Sequence, residues 1–465
     1  MQRSDRAVRG GTDEKGRVYD VVPRRSVKGW SVLSVAVGTA LALNAAPPAA
    51  AGRTAAPAGA ALLSVGACPA RGMCATARRT LVLDGRATTL DLDAAAGPVD
   101  LALRTAGRFA DVTVTDHEGR RVAGTVSPDG ARWTSVAPLT SDGRYTARLL
   151  VERAHGTRRI VHRARLALTT PAAPRGERLT ARFGPGKGAY GVGQPLTAEL
   201  SHPVPATDPE ARRAVERSLL VSSVPRADGA WHWVGPTTLH YRPRDFWPAH
   251  ATVRVRSTLD GVRVTGGLYG GPSAPLTLTT GARIEAVTDV AAHTMTVLRD
   301  GEAVRTIPVT TGKAGYRTRS GVKVVLGKEA TVRMRGDSIG IARGSGDFYD
   351  LKVRWATRVT WSGEYLHAAP WSLDAQGSEN VSHGCTGMST EDAAWLFATV
   401  REGDVVRVVN GYGEPMTPFD NGYGDWNLSW PEWRRGSALG ALDAGPGAGP
   451  GAASGAPEGL LTPAL

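Results

Sequence analysis

Along most of this chain apolar residues alternate with polar ones in short runs that end at turn residues. Thr80-Leu81-Val82-Leu83-Asp84, Val99-Asp100-Leu101-Ala102-Leu103 and Arg148-Leu149-Leu150-Val151 have this form. Asp84-Gly85, Glu118-Gly119, Asp129-Gly130 and Asp142-Gly143 separate them. A period of two turns one face of each run toward a core, so regular spacing predicts an all-β sandwich over 79–170. Thr170-Pro171-Ala172-Ala173-Pro174 breaks the pattern, and a second immunoglobulin-like β unit is predicted over 171–280. Ala211, Ala214, Val215 and Leu219 recur there at helical spacing, which predicts a short insert from Pro209 to Leu220. Trp231, Trp233, Tyr241 and Trp247 fall on its strands and turns. They read as core, the alternative being an exposed row that stacks on sugar rings. His232, His240 and His250 lack the carboxylate or cysteine spacing of a metal site, and no metal or cofactor is expected.

A third pattern occupies 281–410. Arg283 to Val287 and Thr294 to Leu298 read as strands, with Arg299-Asp300-Gly301-Glu302 as the tight turn before 303–309. Further strand-like runs fall at 322–326, 330–334, 351–360 and 404–409. One helix stands out: Ser389-x-x-Asp392 caps it, Ala394, Trp395, Leu396 and Val400 give it an apolar face, and Gly403 ends it. The fold class is mainly β, with two immunoglobulin-like β-sandwich domains followed by a β-rich domain with one clear helix. Residues 411–435 form a Trp-rich extension, and Gly436 to Leu465 reads as a disordered tail of Gly, Ala and Pro.

The N-terminus has a different character. Arg24, Arg25 and Lys28 precede an uncharged run from Gly29 to Ala46, and Ala49-Ala50-Ala51 follows before Gly52. This is the order of an export signal over 1–51, with an uncleaved membrane anchor as the alternative. Val65-Gly66-Ala67-Cys68 imitates a lipoprotein site but lies far past the apolar run. Residues 52–78 are Ala-, Gly- and Pro-rich and read as a linker. The protein is expected in the cell wall or on the outer face of the cytoplasmic membrane.

At 465 residues the chain is too long for a single core. The net charge of +13 is spread along it without a zinc-finger spacing or aromatic-basic motif, so nucleic acid is not expected as a partner. A diffuse positive field suits an anionic envelope polymer instead. The 3 cysteines divide into a close pair, Cys68 and Cys74, and an isolated Cys385. In an exported protein that arithmetic predicts one disulfide and one reactive thiol.

Chemistry concentrates around Cys385. It stands in Val381-Ser382-His383-Gly384-Cys385-Thr386-Gly387-Met388, with His367 eighteen residues upstream. A thiol is only slightly ionised at neutral pH and needs an imidazole to store its proton. His383, two residues away in a tight turn, points away from the sulfur and has a structural or pocket-lining role. His367, at the end of a strand-like run, is the expected base. The Gly384 and Cys385 amides are candidates for an oxyanion hole, and a helix N-terminus just downstream is expected to favour the thiolate. A buried cysteine without chemistry is the plain alternative.

His367-Ala368-Ala369-Pro370-Trp371-Ser372 and Ser382-His383-Gly384-Cys385 resemble the signature of bacterial L,D-transpeptidases with a YkuD-type catalytic domain. The order of domains and Gly424-Asp425-Trp426-Asn427 resemble the actinobacterial branch. The resemblance covers about 178–435. It implies a cysteine acyltransferase that joins peptidoglycan stem peptides, donor and acceptor, by third-to-third cross-links, and that carbapenems acylate. It also implies that the Ala368 carbonyl orients His367 and that Tyr349, Ser362 and Gly363 border the substrate pocket. The sequence departs from the family where asparagine usually stands two residues after the cysteine, since Gly387 is there. Thr318-Arg319-Ser320-Gly321 lacks the proline common in that turn. Two alternatives follow from the same residues: a hydrolase that uses the same thiol on stems, and a non-catalytic wall-binding protein.

Overall fold

The structure, a computed structural model, describes residues 61–67, 79–83, 87–92, 98–155 and 157–440, all within one compact unit, Ala56–Leu465. The export segment, the Cys68–Cys74 pairing and residues 441–465 lie outside the described residues. The fold is mainly β, as the alternating pattern predicts.

The first sandwich faces a five-stranded sheet against a four-stranded one. Leu63, Leu101, Trp133, Leu149 and Leu166 fill the space between them. One of its inner strands is Ala61–Ala67, inside the segment expected to be a linker. Ala61, Leu63 and Val65 point into the core, and the strand pairs with both Arg79–Leu83 and Pro98–Leu103. Small residues hid a strand that is buried almost throughout. The second β unit carries the helix Pro209–Ser218, capped by the Asp208 side chain on the Ala211 amide, with Ala211 and Val215 buried. Trp231, Trp233, Tyr241 and Trp247 are core residues, none more than 8% exposed.

The third unit holds the candidate site, and its strands are numbered here from its start. A five-stranded sheet is built from β1 (Ile284–Asp289), β2 (Thr294–Arg299), β3 (Glu302–Pro308), β4 (Gly321–Val324) and β9 (Val405–Val409), in the order β3-β2-β1-β9-β4. A four-stranded sheet follows the order β5 (Gly327–Arg335), β6 (Asp350–Arg358), β7 (Tyr365–Ala368), β8 (Thr386–Met388). Ile284, Met295, Ile307, Val325, Leu366, Met388 and Leu396 form the core of this unit. The helix Thr390–Thr399 closes that core, capped by Ser389 on the Asp392 amide. It ends at Val400, short of Gly403, because Val400 turns extended and buries its side chain.

The Trp-rich segment is a clasp. Trp426 Nε1 donates to the Gly193 carbonyl at 2.8 Å, Trp433 Nε1 to Ala230 at 2.9 Å, and the Asp425 carboxylate meets His240 Nδ1 at 2.7 Å. The Arg242 guanidinium lies over the rings of Trp426, Trp430 and Trp433. Asn427 makes paired hydrogen bonds with the backbone of Val322 on β4. Residues 436–440, expected to begin the tail, belong to this clasp: the Ala438 amide donates to the buried Glu216 carboxylate at 2.7 Å, and the Ser437 hydroxyl bonds the same group.

Candidate active site

Strands β7 and β8 run parallel, with Leu366 opposite Thr386, His367 opposite Gly387 and Ala368 opposite Met388. Side chains alternate along each strand. Leu366, Ala368 and Met388 share the face that packs into the core of this unit. His367 and Gly387 lie side by side, and Cys385 immediately precedes β8, two residues before Gly387. The sheet therefore brings the segment that carries the thiol against the strand that carries the imidazole, although the two residues are eighteen apart in sequence.

The imidazole is held. A carbonyl can only accept, so the 2.8 Å contact of His367 Nδ1 with the Ala368 carbonyl places the proton on Nδ1 and leaves Nε2 as the acceptor. Burial pushes His367 below its ordinary value, with the Ala368 hydrogen bond pulling the other way. The thiol donates to the Gly363 carbonyl at 3.6 Å. Protein atoms crowd the sulfur, and that desolvation pushes it up to about 11, against the pull of the Tyr365 backbone amide. The resting thiol and imidazole are thus both neutral. The helix-terminus expectation fails here: β8 stands between Cys385 and the helix, whose first turn is taken up by Ser389 and Asp392.

The loop before the sulfur is pinned from one side. Thr310 and Gly387 exchange backbone hydrogen bonds, Ser382 bonds the backbone of Thr311 and Lys313, and the Asn380 side chain accepts from Thr311. Ser382 Oγ donates to the Cys385 carbonyl at 2.6 Å and accepts from the Gly384 amide at 3.1 Å. The Gly384 amide, expected as an oxyanion donor, is therefore occupied in the resting loop. Thr318 Oγ1 fixes the Gly384 carbonyl at 2.8 Å, and Gly384 itself has φ +120°, which only glycine adopts without strain. Gly387 is close-packed: an added Cβ would sit 2.9 Å from Ala369 Cβ and 3.2 Å from Thr310 Cγ2. A larger residue there requires its neighbours to move.

His383 packs between the rings of Tyr316 and Tyr349, with centroids 4.7 and 4.9 Å away, and its Nε2 lies 3.6 Å from Asp347. Tyr349 belongs to the flap that joins β5 to β6, and burial with the neighbouring Cys385 charge raises its hydroxyl to about 12. Asp347, on the same flap, accepts from Lys313 Nζ at 2.6 Å and from the Tyr316 hydroxyl at 3.4 Å. Ser362 reaches the site's rim, where its amide and hydroxyl pair with Asn421 at 2.8 Å each. All nine residues singled out from the sequence lie in this region. Sequence reasoning passed over Asp347, Tyr316, Asn380, Lys323 and Glu364; only Lys323 left a mark, as a charge at an alternating position between Val322 and Val324.

Comparison with known proteins gives two family matches: a Bacterial Ig domain over residues 95–263 and an L,D-transpeptidase catalytic domain over 283–408. The chain is similar to L,D-transpeptidase 2 of Mycobacterium tuberculosis, 33% identical over 71% of this chain and 79% of that protein. It is similar to L,D-transpeptidase 1 of the same species, 40% identical over 49% of this chain and 84% of that one. Among solved structures, an L,D-transpeptidase in complex with imipenem is 39% identical, covering 49% of this chain and 98% of its own, with a TM-score of 0.42. L,D-transpeptidase 3 of M. tuberculosis, in complex with a faropenem-derived adduct, is 35% identical over 49% and 97% of the two chains, with a TM-score of 0.41.

Proposed function

The chain belongs to the L,D-transpeptidase family, and from that premise we propose that it forms third-to-third cross-links in peptidoglycan through an acyl-enzyme on Cys385. The observation that carries this reading is the parallel pairing of β7 and β8, which sets the residue after Cys385 against the strand of His367, with His367 Nε2 left as an acceptor. Cys385 Sγ attacks the carbonyl carbon of the diamino acid at the third position of a donor tetrapeptide. His367 takes the thiol proton as the S–C bond forms. The C–N bond to the terminal D-alanine then breaks, and the leaving amine receives that proton. The side-chain amine of an acceptor stem attacks the thioester in turn, its proton passing through His367 back to the sulfur. Because the Gly384 amide is held by Ser382, the Cys385 amide is assigned as the first donor to the oxyanion. Tyr349, Ser362, Gly363 and His383 line the donor pocket, and Gly387 offers it no side-chain amide. The site acts outside the cytoplasmic membrane, where stem peptides are found, and carbapenems acylate the same sulfur, as complexed relatives suggest.

The test is incubation of the full chain with purified disaccharide tetrapeptide, with products read by mass spectrometry. Cross-linked dimer plus free D-alanine is expected, and neither from Cys385→Ala. Tripeptide without dimer would instead assign the thiol to hydrolysis of stems, and an unchanged substrate would leave a wall-binding protein.

A further inference from the structure

One buried pair of charges links β4 to the residue just before β7. Lys323 stands on β4 and is 1% exposed, and its ammonium donates to Glu364 Oε2 at 2.5 Å. Glu364, also buried, sits just before β7 and accepts from the Arg319 guanidinium at 2.9 Å and the Arg319 amide at 3.2 Å. Burial pushes Lys323 down, and Glu364 pulls it back. Buried pairs of this kind can often be exchanged for apolar side chains without loss of stability, so stability alone does not explain one here. Its position does. The two neighbours of Glu364 both face the sulfur: the Gly363 carbonyl accepts from the thiol, and the Tyr365 amide favours its anion. Of the groups around the sulfur, Glu364 opposes the thiolate and Lys323 favours it. Tyr349 from the flap, Tyr365 on β7 and the His367 imidazole are neutral there at ordinary pH.

We propose that Lys323 is a positioning residue for the Cys385 thiolate. Paired with Glu364, whose other partner is Arg319, its ammonium offsets the carboxylate that opposes ionisation of the sulfur as it attacks. Glu364 sets how much of that charge the sulfur feels, and it anchors the Gly363-Tyr365 backbone that touches the sulfur. This rests on Cys385 being the nucleophile.

The cluster carries two cations and one anion, so the signs are testable. Lys323→Met leaves Glu364 paired with Arg319 and removes the cation that offsets it at the sulfur, which disfavours the thiolate. Adding Glu364→Gln to that variant removes the opposing carboxylate as well. The readout is iodoacetamide alkylation of Cys385 in the full chain at pH 8, resolved by peptide mass spectrometry from Cys68 and Cys74. Lys323→Met is expected to slow alkylation roughly three- to tenfold, the scale of about one pH unit in the thiol offset by its greater nucleophilicity. The double variant is expected to recover most of that rate, which lost packing would not do. If circular dichroism shows the Met variant unfolded, Lys323→Gln serves, since its amide keeps a donor toward Glu364 without the charge. An unchanged rate in the Lys323 variant, or a double variant as slow as the single, overturns the proposal. A parent that alkylates normally but fails to convert tetrapeptide would defeat the functional reading instead and leave the charge result standing.

Discussion

Cys385 and His367 sit with opposite shifts, the thiol up to about 11 and the imidazole below its ordinary value, both from burial. Those directions have a consequence for pH. A preformed thiolate–imidazolium pair would be lost as pH falls through a low thiol value. A neutral pair works differently: His367 accepts the proton only during attack, so it must be unprotonated beforehand. Its lowered value keeps it so at and somewhat below pH 6.5. Acylation by imipenem is therefore expected to hold a plateau across neutral pH and to decline only below that value. On the alkaline side the rate rises further as free thiolate appears toward pH 11. His367→Ala is expected to lower the plateau by about 10²- to 10⁴-fold while the alkaline rise remains. Stopped-flow acylation across pH measures both, and an acid limb centred above 6.5 would contradict the neutral pair.

The flap and the site loop show what an element adds. The flap between β5 and β6 rests on the His383 loop through Asp347, which reaches Lys313, Tyr316 and His383. Its partners bring the carboxyl of Asp347 below its usual range, Lys313 first. Asp347 and Lys313 are both partly open to solvent, so the contact is a light latch. Asp347→Ala is expected to speed amide exchange in 336–349 and to raise KM no more than a few-fold with kcat nearly kept. A large loss of kcat would place Asp347 in the chemistry itself. The strands of this unit were legible because alternation and turns are local. The helix was legible from Ser389 and Asp392. The latch was not: Asp347 is one acid among many in a Gly-rich stretch, and its partners come from two other segments. Cys385 and His367 were legible because their residue types are rare, whereas the occupied Gly384 amide depends on where one hydroxyl turns.

For the whole molecule, the clasp joins the second β unit to the catalytic one. Gly191 and Gly193 donate to the Glu402 and Gly403 carbonyls, while Arg242 lies beneath three tryptophans of the C-terminal segment. His240 and Asp425, 185 residues apart, meet across the same junction. Sequence spacing cannot foretell such a pair, and it likewise hid the strand Ala61–Ala67 among small residues that resemble a linker. The same clasp pins Val322, beside Lys323, and Asn421 holds Ser362 beside Gly363. The backbone around the sulfur is thus braced from outside the catalytic strands. The proposed function turns on one thiol, and trapping that thiol is the decisive measurement. The full chain is mixed with disaccharide tetrapeptide, quenched in acid within one turnover and digested. A peptide containing Cys385 that carries the disaccharide-tripeptide acyl group, with one D-alanine released per adduct and no adduct in Cys385→Ala, is the expected result. D-Alanine release with Cys385 unmodified, or release that persists in Cys385→Ala, would contradict it.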